Sequence, residues 1–85
     1  MPGLSARIYQ NLGRYPVFSL SADQWQEEGW VYDPETERLL KYYIDRKDQY
    51  DRVYSDLTRA EFSRQVLPSA APELQDWFAA IDAAP

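Results

Sequence analysis

The stretch Asp33-Pro34-Glu35-Thr36-Glu37 decides between two folds for the middle of the chain. As a helix start, Asp33 caps the first turn and Pro34 occupies the first helical position, where its missing N–H costs nothing. The acids that follow lie where the helix dipole favours negative charge. No Gly or Pro then occurs until Pro68. The stretch therefore predicts one long central helix.

The residues after this start also fit a helix. At 100° per residue, an apolar stripe faces one side and charged side chains cluster on the other, as in the central helix of a small bundle. The stripe contains Leu39, Tyr43, Tyr50, Val53, Tyr54 and Leu57, and the polar side contains Lys41, Asp45, Asp48 and Arg52.

The alternative is an α+β fold with a short antiparallel meander over residues 30–55. The stretch 33–37 can also form a turn, and Lys41–Ile44 and Arg52–Tyr54 favour strands. Leu39-Leu40, however, is apolar at both parities, and a half-buried strand alternates. We therefore expect the helix.

The segment from Trp30 to Tyr54 loosely resembles a WW domain, through Gly29-Trp30 and Tyr42-Tyr43-Ile44-Asp45. The resemblance covers about a quarter of the chain and implies the meander. The second tryptophan and the closing proline of that family are absent, and Glu37 stands where a turn glycine is wanted.

Local signals predict further helices on both sides of this segment. Ser5, Ser21 and Thr58 are N-cap candidates, and Pro72 suits a first helical position. Gly13 and Gly29 suit helix ends, which gives helices over about 5–12 and 21–28. Residues 1–85 are thus predicted to form one mainly α domain, a bundle of four or five helices. Its expected core is Leu39, Leu40, Tyr43, Ile44, Tyr50, Val53, Leu57, Phe62, Val66, Leu74, Trp77, Phe78 and Ile81.

Composition excludes several kinds of chemistry. The 85 residues contain no Cys and no His. Zinc–thiolate sites, iron–sulfur clusters, cysteine nucleophiles and Ser–His–Asp triads therefore cannot form within this chain. We expect no enzymatic activity, no cofactor and no metal.

A carboxylate-dependent enzyme is the alternative that composition leaves open. Asp33, Glu35 and Glu37 alternate, and Asp45, Asp48 and Asp51 recur at every third position. Such pairs can bind Mg²⁺ or act as acid and base. We interpret the first set as capping residues and the second as a solvated face.

The expected compartment is the cytoplasm. No cationic stretch followed by an apolar run begins the sequence, and no run of 18 apolar residues occurs. We therefore expect neither a signal peptide nor a membrane partner.

Residues 23–37 combine aromatic rings with six acids and no base, in a chain of net charge −5. Acids that steer a basic partner and rings that anchor it are typical of protein interfaces. We predict a non-catalytic accessory or inhibitory protein that docks on a larger protein, with a basic surface as the partner's matching feature. The composition also suits a phage- or mobile-element-encoded protein, including a nucleic-acid mimic, and a homo-oligomer stays open. The predicted binding residues are Trp25, Glu27, Glu28, Trp30, Tyr32, Asp33 and Glu35.

Residues 57–77 resemble the helix-turn-helix of small repressors, through Leu57-Thr58-Arg59-Ala60-Glu61-Phe62 and Trp77. The resemblance implies a small DNA-binding regulator as an alternative function. The second helix, however, begins Pro72-Glu73-Leu74-Gln75-Asp76 and has no Lys or Arg for phosphates or guanines. We therefore do not expect nucleic acid as the partner.

Overall fold

The computed structural model describes residues 4–83, which form an α+β fold. Four strands make an antiparallel meander in the order β1-β2-β3-β4, with one helix before it and two after it. The elements are α1 (Leu4–Leu12), β1 (Phe18–Ala22), β2 (Gln26–Asp33), β3 (Arg38–Asp45), β4 (Tyr50–Thr58), α2 (Arg59–Gln65), a 3₁₀ helix (Leu67–Ser69) and α3 (Pro72–Ala83). No helix within these residues is long and apolar enough to cross a membrane.

The predicted mainly α bundle with a long central helix is wrong. Strands β3 and β4 occupy the segment assigned to that helix, and β1 and β2 occupy the one assigned to a helix over 21–28. The sheet extends from Phe18 to Thr58, beyond the meander weighed for residues 30–55. Three helices are confirmed: the one over about 5–12, the one opened by Thr58 and the one opened by Pro72. The proposed cap at Ser5 lies outside the described side chains.

Strand β3 is apolar at both parities because both faces of the sheet are covered there. Leu40 packs under α1 with Ile8, whereas its neighbour Leu39 packs against Phe62 of α2. A strand buried on both faces has no polar side to alternate with. The missing alternation, which favoured a helix, is thus a property of a two-sided core.

The two turns beside β3 are built alike, and neither contains glycine. Asp33 and Asp45 begin them. The Asp33 carboxylate accepts the Glu35 N–H, and the Asp45 carboxylate accepts the N–H groups of Lys47 and Asp48, each at 3.0 Å. Four residues after each aspartate the backbone enters the left-handed region, at Glu37 (φ 55°) and Gln49 (φ 54°). Short aspartate side chains stabilise turns in this way. The stretch 33–37 is therefore a hairpin turn and not a helix start.

Two clusters of side chains form the core, one on each face of the sheet. The cluster under α1 contains Ile8, Val31, Leu40, Tyr42 and Ile44. The cluster under α2 and α3 contains Trp30, Leu39, Phe62, Leu74 and Phe78.

The expected core misplaces the tyrosines. A helical wheel puts Tyr43 and Tyr50 inside, but in the sheet Tyr42 is fully buried and Tyr43 points to the opposite face. Tyr50 is 47% exposed. A period of 3.6 and a period of 2 select different residues from the same run, so this error follows directly from the wrong element.

Gly29 allows β1 to approach β2 closely. It pairs with Ser19, beside a bulge at Leu20, and a Cβ at this position would overlap the carbonyl oxygen of Phe18. At Gly13, by contrast, a Cβ would meet no atom within 4 Å.

We expect Gly29→Ala to lower the free energy of unfolding by about 1–3 kcal/mol, because backbone atoms cannot move aside as a flexible side chain can. Urea denaturation measures it. Gly13→Ala is the matched control and should leave stability within about 0.5 kcal/mol of wild type. Equal effects at both glycines would contradict the close approach.

Gln49→Gly should raise the free energy of unfolding by about 0.5–1 kcal/mol. A left-handed backbone is costly for residues with a Cβ, and part of that gain is offset by the greater freedom of glycine in the unfolded chain. Gln49→Ala keeps the Cβ and should bring no such gain. Thermal or urea unfolding of both variants tests the turn, and destabilisation by glycine would contradict it.

Candidate functional site

Strand β2 separates the seven residues that the sequence predicts as one binding surface. Side chains alternate along a strand, so neighbours face opposite sides of the sheet. The odd-numbered members in β2 face α1, the even-numbered members face the side of α2 and α3, and two members lie in the turns at its ends. On the α1 side are Glu27 and Asp33, on the other side Glu28, Trp30 and Tyr32, and in the turns Trp25 and Glu35.

Trp30 belongs to the core and not to a surface. Its side chain is 4% exposed and meets Phe62 edge-on, with ring centroids 4.9 Å apart. Its substitution would therefore test folding and not docking.

Asp33 is also buried, and its carboxylate ties the β2–β3 turn to α1. Nε and Nη2 of Arg7 lie 2.7 and 2.6 Å from Oδ2 of Asp33, and the Thr36 hydroxyl donates to the same oxygen at 3.0 Å. Burial alone would raise the pKa of Asp33, but the hydrogen bonds from Arg7, Thr36 and the Glu35 N–H hold it below its ordinary value. The residue therefore has a structural partner and does not face a ligand.

Glu27 is engaged on the same side of the sheet. The buried Tyr42 hydroxyl donates to its Oε2 at 2.5 Å, and Nη2 of Arg46 lies 3.3 Å from its Oε1. Burial, and then this carboxylate, raise the pKa of Tyr42 well above its ordinary value. Glu27 thus serves to satisfy a buried tyrosine.

A cluster of tyrosines, which sequence reasoning placed in the core, lies on the open part of the sheet. We call Tyr43, Tyr50 and Tyr54 the tyrosine face. The ring of Tyr43 lies 6.0 Å from that of Tyr50 and 6.5 Å from that of Tyr54. Tyr50 and Tyr54 are 47% and 48% exposed, and the guanidinium of Arg52 lies over the Tyr54 ring at 5.0 Å. In the sequence, Tyr50, Arg52 and Tyr54 lie at every second position, as residues on one face of a strand do, and this pattern could have predicted the tyrosine face.

Glu28 borders this face, and Trp25 lies in the turn at the same end of the sheet. Trp25 is 47% exposed in the β1–β2 turn, which Asp23 fixes by accepting the N–H groups of Trp25 and Gln26 at 2.8 and 2.7 Å. Glu28 pairs in register with Tyr43. Of the seven predicted residues, Glu28 therefore lies beside the exposed tyrosines, and Trp25 lies at their end of the sheet.

Tyr32 and Glu35 line a different site, at the opposite end of the β2–β3 hairpin. Here a cleft of about 540 Å³ opens between the loop before β1, the β2–β3 turn and α3. We call it the acidic cleft, after Glu35 and Glu37 in its lining. The lining also contains Tyr15, Tyr32, Arg59 and Trp77.

Ion pairs fix one wall of the acidic cleft. Nη1 of Arg59 lies 3.1 Å from Oε1 of Glu37, and its Nη2 contacts the Asp82 carboxylate. Hydrogen bonding to Asp82 raises the pKa of Arg59, so its charge is permanent. Burial raises the pKa of Tyr32, and the neighbouring Arg59 opposes this rise. The phenol therefore stays neutral at physiological pH.

Among residues 4–83, no group of three or more Asp or Glu side chains is placed to hold a metal ion. Aromatic surface and fixed charge are what the two sites offer, and these suit binding.

No protein-family model matches this chain, and no curated protein or solved structure is significantly similar to it.

The aspartates that fix the turns make stability sensitive to acid. Hydrogen bonds from backbone N–H groups lower the pKa of Asp23 and of Asp45, and the network described above lowers that of Asp33. A carboxyl whose folded pKa is depressed stabilises the fold above its unfolded pKa, near 3.9, and loses that contribution as the pH falls through the folded value.

We therefore expect Asp33→Asn to cost about 1–3 kcal/mol at pH 7, because Arg7 loses its charged partner. The difference from wild type should shrink as the pH falls below about 4. Urea denaturation at pH 7, 5 and 3 measures it, with Asp76→Asn at an exposed position on α3 as the control. A gap that does not change with pH would contradict the assignment.

Proposed function

We propose that this chain is a non-catalytic accessory or inhibitory protein that docks on a larger protein through the tyrosine face. The observation that carries the proposal is the position of these rings. Helices α2 and α3 pack on Trp30, Leu39 and Leu57 of the same side of the sheet and leave Tyr43, Tyr50 and Tyr54 outside the core.

Tyrosine is suited to this task. It supplies a large apolar ring with a polar tip and few rotatable bonds, so little conformational entropy is lost on binding. The rings of the tyrosine face already contact one another and Arg52 in the free protein. Preorganised rings of this kind are typical anchors of protein interfaces.

Charge supports a partner with a basic surface. The chain has a net charge of −5, which as a whole attracts basic surfaces, and on the tyrosine face itself Glu28 is balanced by Arg52. Nucleic-acid mimicry has less support, since Arg52 and Lys41 lie on the same side of the sheet. We also propose a phage or mobile-element origin and a cytoplasmic location. The lack of Cys agrees with the cytoplasmic location.

The DNA-binding alternative has less support than docking. Leu74 and Phe78 of α3 face the core, and its exposed side carries Glu73 and Asp76. These acids would repel phosphates. A gel shift on random duplex at low salt tests this alternative.

Affinity capture from host lysate, followed by titration with the purified partner, tests the proposal. We expect one stoichiometric protein on the wild-type chain. In Tyr50→Ala/Tyr54→Ala its Kd should rise by about 10- to 100-fold, because clustered tyrosines are typical hot spots. High salt should slow association, since the partner is basic.

Tyr9→Ala is the matched control, because Tyr9 is also 48% exposed but lies on α1, across the sheet from the tyrosine face. Circular dichroism confirms that each variant is folded. Equal loss of affinity in the control would remove the tyrosine face from the proposal, and capture of nucleic acid in place of protein would overturn docking itself.

A further inference from the structure

We propose that the acidic cleft receives a basic side chain, lysine or arginine, of a partner protein. The source of that side chain rests on the proposed function. Binding of a cation in the cleft does not rest on it, because the cleft is preformed in the free chain. The cleft also lies at the other end of the β2–β3 hairpin from the tyrosine face.

Three aromatic rings from separate parts of the chain line the cleft. Trp77 comes from α3, Tyr32 from β2 and Tyr15 from the loop after α1. The indole N–H of Trp77 donates to the carbonyl oxygen of Pro16 at 3.2 Å, which sets the orientation of its ring. Tryptophan and tyrosine faces attract organic cations through the negative face of the π system. The walls thus suit a cationic group better than a neutral one.

The charges beside the cleft favour the same ligand. Arg59 is matched by Glu37 and by Asp82, which leaves one negative charge in that cluster. Glu35 adds a second, because its carboxylate forms no ion pair or hydrogen bond within residues 4–83. Arg14, whose guanidinium lies over the Tyr15 ring at 5.7 Å, returns one positive charge. The net charge of these groups is therefore still negative, and it attracts a cation into the cleft.

The backbone holds Glu35 at the rim. Its N–H donates to Oδ1 of Asp33, the carboxylate that Arg7 binds from α1. The cleft, at about 540 Å³, falls within the usual range of ligand pockets and exceeds what one side chain fills. A lysine or arginine can therefore enter with its charged group against the rings and close to Glu35.

Titration with Nα-acetyl-lysine amide tests the inference without any partner. The reporter is the indole N–H signal of Trp77 in a ¹H–¹⁵N spectrum, assigned by its disappearance in Trp77→Phe. We expect a saturable shift with a Kd of about 1–10 mM, as suits one cation on a few rings. Nα-acetyl-norleucine amide, which has the stem without the charge, should cause no shift, and NaCl at matched ionic strength controls for screening.

A double variant locates the site. Glu35→Gln/Tyr15→Leu removes the unpaired charge and one ring but keeps apolar bulk, and we expect its Kd to rise by about tenfold. Glu73→Gln/Tyr9→Leu changes the same residue types at exposed positions elsewhere and should bind as wild type does. No shift of the Trp77 signal, an equal shift by the neutral probe, or unchanged affinity in the double variant would each overturn the inference.

The two proposals can fail separately. If the lysine probe binds but no protein is captured from lysate, the cleft is a cation site and the docking function is wrong. If a partner is captured and Glu35→Gln/Tyr15→Leu leaves its Kd unchanged, docking stands and the partner's side chain does not occupy the cleft.

Discussion

The Asp33 carboxylate is the contact on which both candidate sites depend. It closes the β2–β3 turn through the Glu35 N–H and joins that turn to α1 through Arg7. This turn helps to set the register of β2 against β3. A slip of one residue in that register would exchange the two faces of β3. Tyr42 would then leave the core and Tyr43 would enter it. The Asp33–Arg7 ion pair and the apolar pattern of β3 thus favour the same register, in which Tyr42 is buried and Tyr43 faces the other side.

The sequence predicted the helices from local signals and missed the sheet for physical reasons. Thr58, an expected N-cap, forms a capping box with Glu61, a short-range interaction that needs no knowledge of the rest of the chain. The meander lacks the usual marks of hairpins. Glu37 and Gln49 occupy the left-handed positions where glycine is common, and β3 is covered on both faces. Acidic residues after Asp33 could therefore be mistaken for a helix start.

The binding segment shows a second limit of reasoning along the chain. Residues 23–37 are dense in acids and rings, but β2 distributes them between two faces and two ends of a sheet. Only Glu28 adjoins the tyrosine face, Trp25 lies in a turn at the same end of the sheet, and only Tyr32 and Glu35 enter the acidic cleft. The rest of the cleft comes from parts of the chain far apart in sequence, which no local pattern could have brought together.

The exposure of Tyr50 and Tyr54 agrees with the lengths of β4 and α2, but the presence of tyrosine at these positions needs a further explanation. A nine-residue strand such as β4 is about 30 Å long, whereas the seven-residue α2 covers only about 10 Å. Helix α2 therefore cannot cover β4 along its whole length, and α2 and α3 together leave Tyr50 and Tyr54 about half exposed. Stability would be served there by small polar or charged side chains, which also protect an edge strand from unwanted pairing. Tyr50 and Tyr54 stand there instead, on either side of the single Arg52. Neither ring is needed to complete the core, and this surplus of exposed aromatic surface is the feature on which the docking proposal rests.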